Sequence, residues 1–187
     1  MARRVIVGGL VVAMVASVAG FPFEPRGAHE WSGFFFVLWG VALFTAAGLL
    51  AVQAGRANDD LAAVGFAAVA LYAFGTTLNS SLLARGLLEA SVGIQPGVWA
   101  MLSLGLALIG LSRRLAGWVR AAGLAAAAGH AVAAAAVLFG AELPHTGGEA
   151  SDWPSLFVAV SKVLLWSTMV GWILDQRRQL DHAASPT

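Results

Sequence analysis

Residues 155–174 read SLFVAVSKVLLWSTMVGWIL, an apolar run interrupted near its middle by Lys162. The run has about the 20 residues that a helix needs to cross the hydrocarbon core of a bilayer. Lys162 is the only lysine in the chain. An ammonium at that depth costs about 3 kcal/mol or more, so it needs a partner, water or a neutral form. The other long apolar runs read as the packing around this helix.

Composition supports the same reading. Of the 187 residues 59% are hydrophobic and 11% charged, and mean hydropathy is +0.79. Soluble domains carry about 25% charged residues, so this chain lacks the polar surface of a water-soluble globule. A net charge of +1 gives no basic patch for nucleic acid. The absence of cysteine excludes disulfides, thiolate metal sites and cysteine nucleophiles. One membrane domain, residues 1–187, is expected.

Outward from the last run, the hydrophobic pattern predicts an all-α, polytopic bundle of six spans at about 4–23, 33–52, 61–83, 94–111, 117–139 and 155–174. The first span follows Arg3 and Arg4; Ser17-Val18-Ala19 would also suit a signal-peptidase site, and a retained helix is the expectation. Polar connections lie at FPFEPRGAHEW, AGRANDD, Arg85 to Pro96, SRRLAGWVR and Gly140 to Pro154. Arginine placement orients the spans. With both termini cytoplasmic, eight arginines (3, 4, 56, 113, 114, 120, 177 and 178) fall inside and two, Arg26 and Arg85, outside. That is the positive-inside bias of a multi-pass protein of the inner, cytoplasmic membrane. Trp31 and Trp153 are expected at the outer interface, Trp118 and Trp172 at the inner one. A short mobile tail is expected over Asp181 to Thr187.

The fifth span, AAGLAAAAGHAVAAAAVL, carries small residues every fourth position: Ala121, Ala125, Gly129 and Ala133, and beside them Gly123, Ala127, Ala131 and Ala135. Such ridges let neighbouring backbones approach closely, which predicts a central place in the bundle.

Polar residues within the spans gather in the outer half. Thr76, Thr77, Asn79, Ser80 and Ser81 end the third span, and Gln95 opens the fourth. At a rise of about 1.5 Å per residue, His130 lies about 15 Å below Gly140 and Lys162 about 10 Å below Ser155. Lys162, His130, Asn79 and Glu89 are therefore candidate ligand-binding residues of one outward-facing pocket, with Trp39, Trp99 and Trp166 as aromatic walls. The plainer alternative has Lys162 snorkelling along its own stem, His130 bonding a neighbouring helix and the tryptophans packing the core. Glu89, at a helix end, is the nearest carboxylate to pair with Lys162, because no span carries one in its middle. The lack of an intramembrane aspartate counter-ion also argues against a retinal Schiff base at Lys162.

Other chemistry is thinly represented. The outer loops hold Glu24, His29, Glu30, Glu89, Glu142, His145, Glu149 and Asp152. Their spacing forms no metal motif, and a solvated acidic face explains them, so no metal site is expected. There is no Gly-x-Ser-x-Gly elbow, Walker motif or dinucleotide fingerprint. A single intramembrane histidine cannot supply bis-histidine haem ligation. No cofactor is implied.

The hairpin Trp99 to Gly140, built around SRRLAGWVRAAGLAAAAG, resembles a pattern in uncharacterised bacterial six-helix integral membrane proteins. The shared elements are an apolar helix, a short arginine turn, a Gly-Trp and a glycine-dotted helix. The resemblance implies a compact bundle and no particular activity. In length, span number and inward termini the chain also resembles the membrane-embedded substrate-binding subunits of bacterial vitamin transporters. That implies an outward pocket and a partner surface of small residues on the first helix. Here Ala13, Ala16 and Ala19 depart from the four-residue spacing of that surface.

The function expected from these residues is non-enzymatic. It is the binding of a small or hydrophobic ligand in an outward-facing pocket, or service as an accessory membrane subunit. The alternative is a small transporter moving a solute or proton past Lys162 and His130; a membrane-embedded enzyme comes third. The bilayer, a homo-oligomer or a membrane partner subunit complete the expected partners.

Overall fold

The computed structural model describes residues 2–20, 29–84, 94–139 and 153–184. Six helices account for almost all of them: α1 (Ala2–Gly20), α2 (His29–Arg56), α3 (Asp60–Ala84), α4 (Ile94–Leu111), α5 (Gly117–Leu138) and α6 (Trp153–Ala184). Four of these, α1, α2, α3 and α5, are long and apolar enough to cross a membrane.

Apolar residues of all sizes lie both inside the bundle and on its outer surface. Large apolar residues such as Val15, Val41, Phe44, Val64, Leu71 and Phe74 face outward. Small ones such as Ala13, Ala46, Ala47, Ala73, Ala126 and Ala127 are buried between helices. In water that outer surface would be one large exposed apolar patch. Against hydrocarbon it costs nothing, while small interior residues let backbones pack closely.

Each helix packs on its neighbours in sequence, and α1 meets α6 to close a ring. Paired positions run in opposite senses along the α5–α6 seam: Val119 beside Gly171, Gly123 beside Thr168, Gly129 beside Ser161. Glycine sets a close backbone crossing between α3 and α4. A Cβ at Gly65 would come within 2.8 Å of the Gly105 carbonyl oxygen and 2.7 Å of Ile109 Cγ1. The Ser103 hydroxyl donates to the Ala127 carbonyl at 2.7 Å and ties α4 to α5.

The α2–α3 turn is three residues long and fully hydrogen-bonded. Asn58 adopts the left-handed conformation, φ 55°, which asparagine tolerates better than most residues. The amides of Asn58 and Asp59 then donate to the carbonyls of Gly55 and Ala54, each at 3.0 Å, as in a Schellman ending. Asp59 turns at once to cap α3, its Oδ1 accepting the Ala62 amide at 3.2 Å. From the first turn of α5, Arg120 Nε donates to the Gly110 carbonyl at 2.9 Å and so satisfies the end of α4.

Three expectations are corrected. The fifth helix is a member of the ring between α4 and α6, not its centre. Its buried stripe combines Gly123, Ala126, Ala127, His130 and Ala133, while Ala121 and Ala125 face outward, because each neighbour uses only part of a ridge. The stretch from Asp181 to Ala184 belongs to α6 rather than to a mobile tail. The turns before it are stitched by Gln179 Nε2 donating to Asp175 Oδ2 at 2.9 Å and by Arg3 donating to the Gln179 carbonyl at 2.9 Å. Trp172 is not interfacial. It is 1% exposed and stands edge-on to Phe66 at 5.0 Å, whereas Trp118 is exposed.

Candidate functional site

The Arg3–Gln179 bond places the start of α1 beside the end of α6, and Asp59 joins the α2–α3 turn to the α4–α5 turn. One end of the bundle therefore gathers both helical termini and the two short turns, with the arginines they carry. At this basic end a partly open cavity of about 200 Å³ lies among α2, α3, α6 and the two short turns. Its apolar wall includes Leu50, Ala62, Phe66 and Leu115; its polar wall is formed by Gln53, Asp59, Ser112, Arg114, Trp172, Asp175, Gln176 and Gln179.

Each polar group has a structural reason to be there. Asp59 is held by its two turn roles. Its Oδ2 accepts the Ser112 hydroxyl at 2.6 Å and lies 3.7 Å from Arg114 Nε. Arg114 also donates to the Ala57 carbonyl. Ser112 is 3% exposed, so its bond to a carboxylate is well shielded from water. Trp172, Asp175, Gln176 and Gln179 all come from α6, where spacings of three and four residues put them on one face. Burial raises the Asp175 carboxyl above its ordinary range, although Gln179, Arg178 and Arg3 all favour the charged form.

Two atoms buried behind this wall stand out. Trp172 Nε1 and Gln176 Oε1 are buried and have no hydrogen-bond partner among the described residues. The residues themselves are 1% and 4% exposed. An unsatisfied buried donor or acceptor costs about 1–3 kcal/mol, and neither atom is open to the cavity itself.

The residues expected from sequence are distributed differently. His130 is 6% exposed, and its Nδ1 is 2.8 Å from the Ala126 carbonyl. That bond makes Nδ1 the protonated nitrogen and leaves Nε2 as the acceptor. Lys162 is partly buried, and its charge acts on His130. The two are neighbours because Gly129 leaves no room for a Cβ against the Ser161 hydroxyl, which draws α5 onto α6. Trp39 is 4% exposed and packs edge-on against Tyr72 at 5.6 Å. Trp99 is partly buried against the core. Trp166 donates its indole N–H to Ser17 Oγ at 3.1 Å across the α1–α6 seam. Thr77 donates to the Ala73 carbonyl at 2.8 Å and fills the space over Gly40. Glu89 and the side chains of Asn79 and Gln95 lie outside the described residues, as do the side chains of the outer acidic and histidine positions. Among the described residues no group of histidine and carboxylate side chains is placed to hold a metal ion.

The sequence reading passed over Trp172, Gln176, Asp59 and Ser112. The available signal was the run of amides, Gln53, Gln176 and Gln179, each just beyond an apolar segment that the arginines place at the same end. No family model, curated protein or solved structure matches this chain.

Proposed function

We propose that this chain is a six-span membrane protein with both termini cytoplasmic, and that it binds a small molecule in the cavity at its basic end. The observation that carries the reading is a partly open space of about 200 Å³ whose lining sets the polar Asp59, Arg114, Asp175 and Gln179 against the apolar Leu50, Phe66 and Leu115. A cavity near 150 Å³ is known to hold a molecule the size of benzene, so this one is large enough for an occupant of some eight to ten heavy atoms. The excess of arginine at that end favours its placement in the cytoplasm. The Ser112 hydroxyl is held by Asp59 in a contact that joins two turns, and binding is the activity we favour for the site.

A second reading rests on a separate observation. Lys162 and His130, drawn together by the Gly129–Ser161 approach, make a polar pair deep in the apolar part of the bundle. Paired ionisable groups inside spans commonly mark solute or proton pathways. On this reading the protein is a small transporter, and the outward-facing pocket of Lys162, His130, Asn79 and Glu89 is its other vestibule.

A native mass spectrum of the protein released from mild detergent separates the two. A non-lipid mass lost in Gln176→Leu and kept in Lys162→Met supports the basic-end site. The reverse pattern supports the second reading. A bare protein mass in every sample argues against both.

A further inference from the structure

We infer that the α1–α6 seam binds the headgroup of an anionic phospholipid at the basic end, an inference that rests on the six-span reading above and not on the cavity. In the ring of helices, α1 and α6 are the neighbours that no loop joins at either end. Among the described residues two side-chain hydrogen bonds cross their seam: Trp166 to Ser17 within the bundle, and Arg3 to the Gln179 carbonyl at the basic end. The second bond sets the first turn of α1 against the last turns of α6. Arg4 and Arg178, each next in sequence to one of the bonded residues, are thereby brought to the same place.

Positive charge accumulates there. Arg3, Arg4, Arg177 and Arg178 meet Asp175 and Asp181, four guanidiniums against two carboxylates. Asp175 lies within electrostatic reach of Arg3 and Arg178 and also accepts the Gln179 side-chain amide at 2.9 Å. Arg4, Arg177 and Arg178 are exposed, and their guanidiniums make no hydrogen bond among the described residues. At the two short turns, by contrast, Arg114 is engaged by Asp59 and the Ala57 carbonyl, and Arg120 by the Gly110 carbonyl. Apolar exposure begins directly beneath the seam arginines: Val5 follows Arg4, and Leu174 lies one helical turn before Arg178, both of them exposed. The arginines therefore stand at the level where headgroup meets acyl chain. A lipid at this place lays its phosphate on guanidiniums from both helices and its acyl chains on the apolar faces below. Arginine matches phosphate geometry with paired hydrogen bonds, and basic pockets between spans on the cytoplasmic side take anionic headgroups. A zwitterionic headgroup brings its own cation to the same arginines, so net negative charge is what the seam selects.

The test is native mass spectrometry of the purified full chain in mild detergent with equimolar phosphatidylglycerol and phosphatidylcholine of matched acyl chains. Thermal melts with each lipid, and with inorganic phosphate, accompany it. The expected result is a preference of about tenfold or more for phosphatidylglycerol, a higher melting temperature with that lipid, and no effect of inorganic phosphate at the same concentration. Arg4→Gln combined with Arg178→Gln should abolish the preference. Arg56→Gln combined with Arg113→Gln removes the same charge from exposed positions at the two short turns and should leave it intact. Melts without lipid establish that each double variant is folded; if the seam variant is not, Arg4→Gln alone decides, and it should lower the preference. Equal binding of the two lipids, or an equal loss in both double variants, overturns the inference in favour of diffuse surface charge. Stabilisation by inorganic phosphate to the same degree overturns it in favour of a free anion. Each of these failures leaves the six-span reading standing, because thiol labelling from the two sides of a vesicle tests that reading separately.

Discussion

Replacing Asp59 by alanine should be among the most destabilising single changes at the basic end, because one carboxylate serves three neighbours. The first is the α3 cap, the Ala62 amide on Oδ1 at 3.2 Å; losing such a cap costs about 0.5–2 kcal/mol. The second is the Ser112 hydroxyl on Oδ2 at 2.6 Å, from a residue only 3% exposed. A hydrogen bond to a charged group contributes about 1.5–3 kcal/mol. The third, Arg114 at 3.7 Å, has a 57% exposed side chain, so solvent screening limits it to at most about 1 kcal/mol. The three are not additive, and the first two dominate: the expected loss is about 2–4 kcal/mol. Asp59→Asn keeps an oxygen for the cap and a partner for Ser112, and should lose less than half as much. Denaturant unfolding of the detergent-solubilised protein gives both values, and a cycle with Ser112→Ala isolates the buried bond. An Asp59→Ala protein within about 0.5 kcal/mol of the native chain, the range of ordinary surface substitutions, would refute the idea that this side chain joins the two turns.

Other perturbations test other parts of the fold. Gly65→Ala puts a methyl group 2.8 Å from the Gly105 carbonyl oxygen and should destabilise by about 1–3 kcal/mol. Gly48→Ala, where nothing lies within 4 Å, should instead stabilise by about 0.5–1 kcal/mol; paired thermal melts give both signs. Because the folded Asp175 carboxyl holds its proton to higher pH than the unfolded one, stability should fall as pH rises from about 4 through the folded value. Asp175→Asn should flatten that slope and raise stability at neutral pH, as read from melts across a pH series. Trp166→Phe removes a single bond across the α1–α6 seam and should cost about 0.6 kcal/mol without changing ligand affinity.

Much of the helical layout was legible because its causes are local. Apolar runs about as long as a bilayer is thick leave the chain few alternatives to helix, and AGRANDD and SRRLAGWVR are both polar and rich in turn residues. The arginines sorted the segments by end, and the structure brings Arg3 to the end of α6 and Asp59 to Ser112. What escaped depends on which face of a helix meets which neighbour. In an amphipathic helix the polar stripe reveals this, but these helices are apolar all round, so periodicity carries little information. Trp172 matched an interfacial tryptophan by position and is instead a core residue, because α6 turns that face toward Phe66. The alanine-rich α5 offered two small ridges, and only packing decides how each is shared. Gln176 carried no signal of its own, since an amide just beyond an apolar run is unremarkable until the cavity beside it is known. Lys162 drew attention through its cost in hydrocarbon, and its proximity to His130 follows from a glycine, Gly129, whose role is visible only in the crossing it permits.

If the partly open space at the basic end faces the cytoplasm as proposed, water-soluble reagents reach its lining residues from that side. The chain contains no cysteine, so a single Ala54→Cys substitution in the cavity wall introduces a unique thiol. The decisive measurement is the rate at which a membrane-impermeant trimethylammonium methanethiosulfonate modifies it in inside-out and in right-side-out vesicles. Ala46→Cys, at a fully buried position, serves as the unreactive control. Rapid modification in inside-out vesicles alone, slowed by a ligand that occupies the cavity, is the result expected. Modification only from the opposite side, or a thiol as inert as that at position 46, would contradict the account.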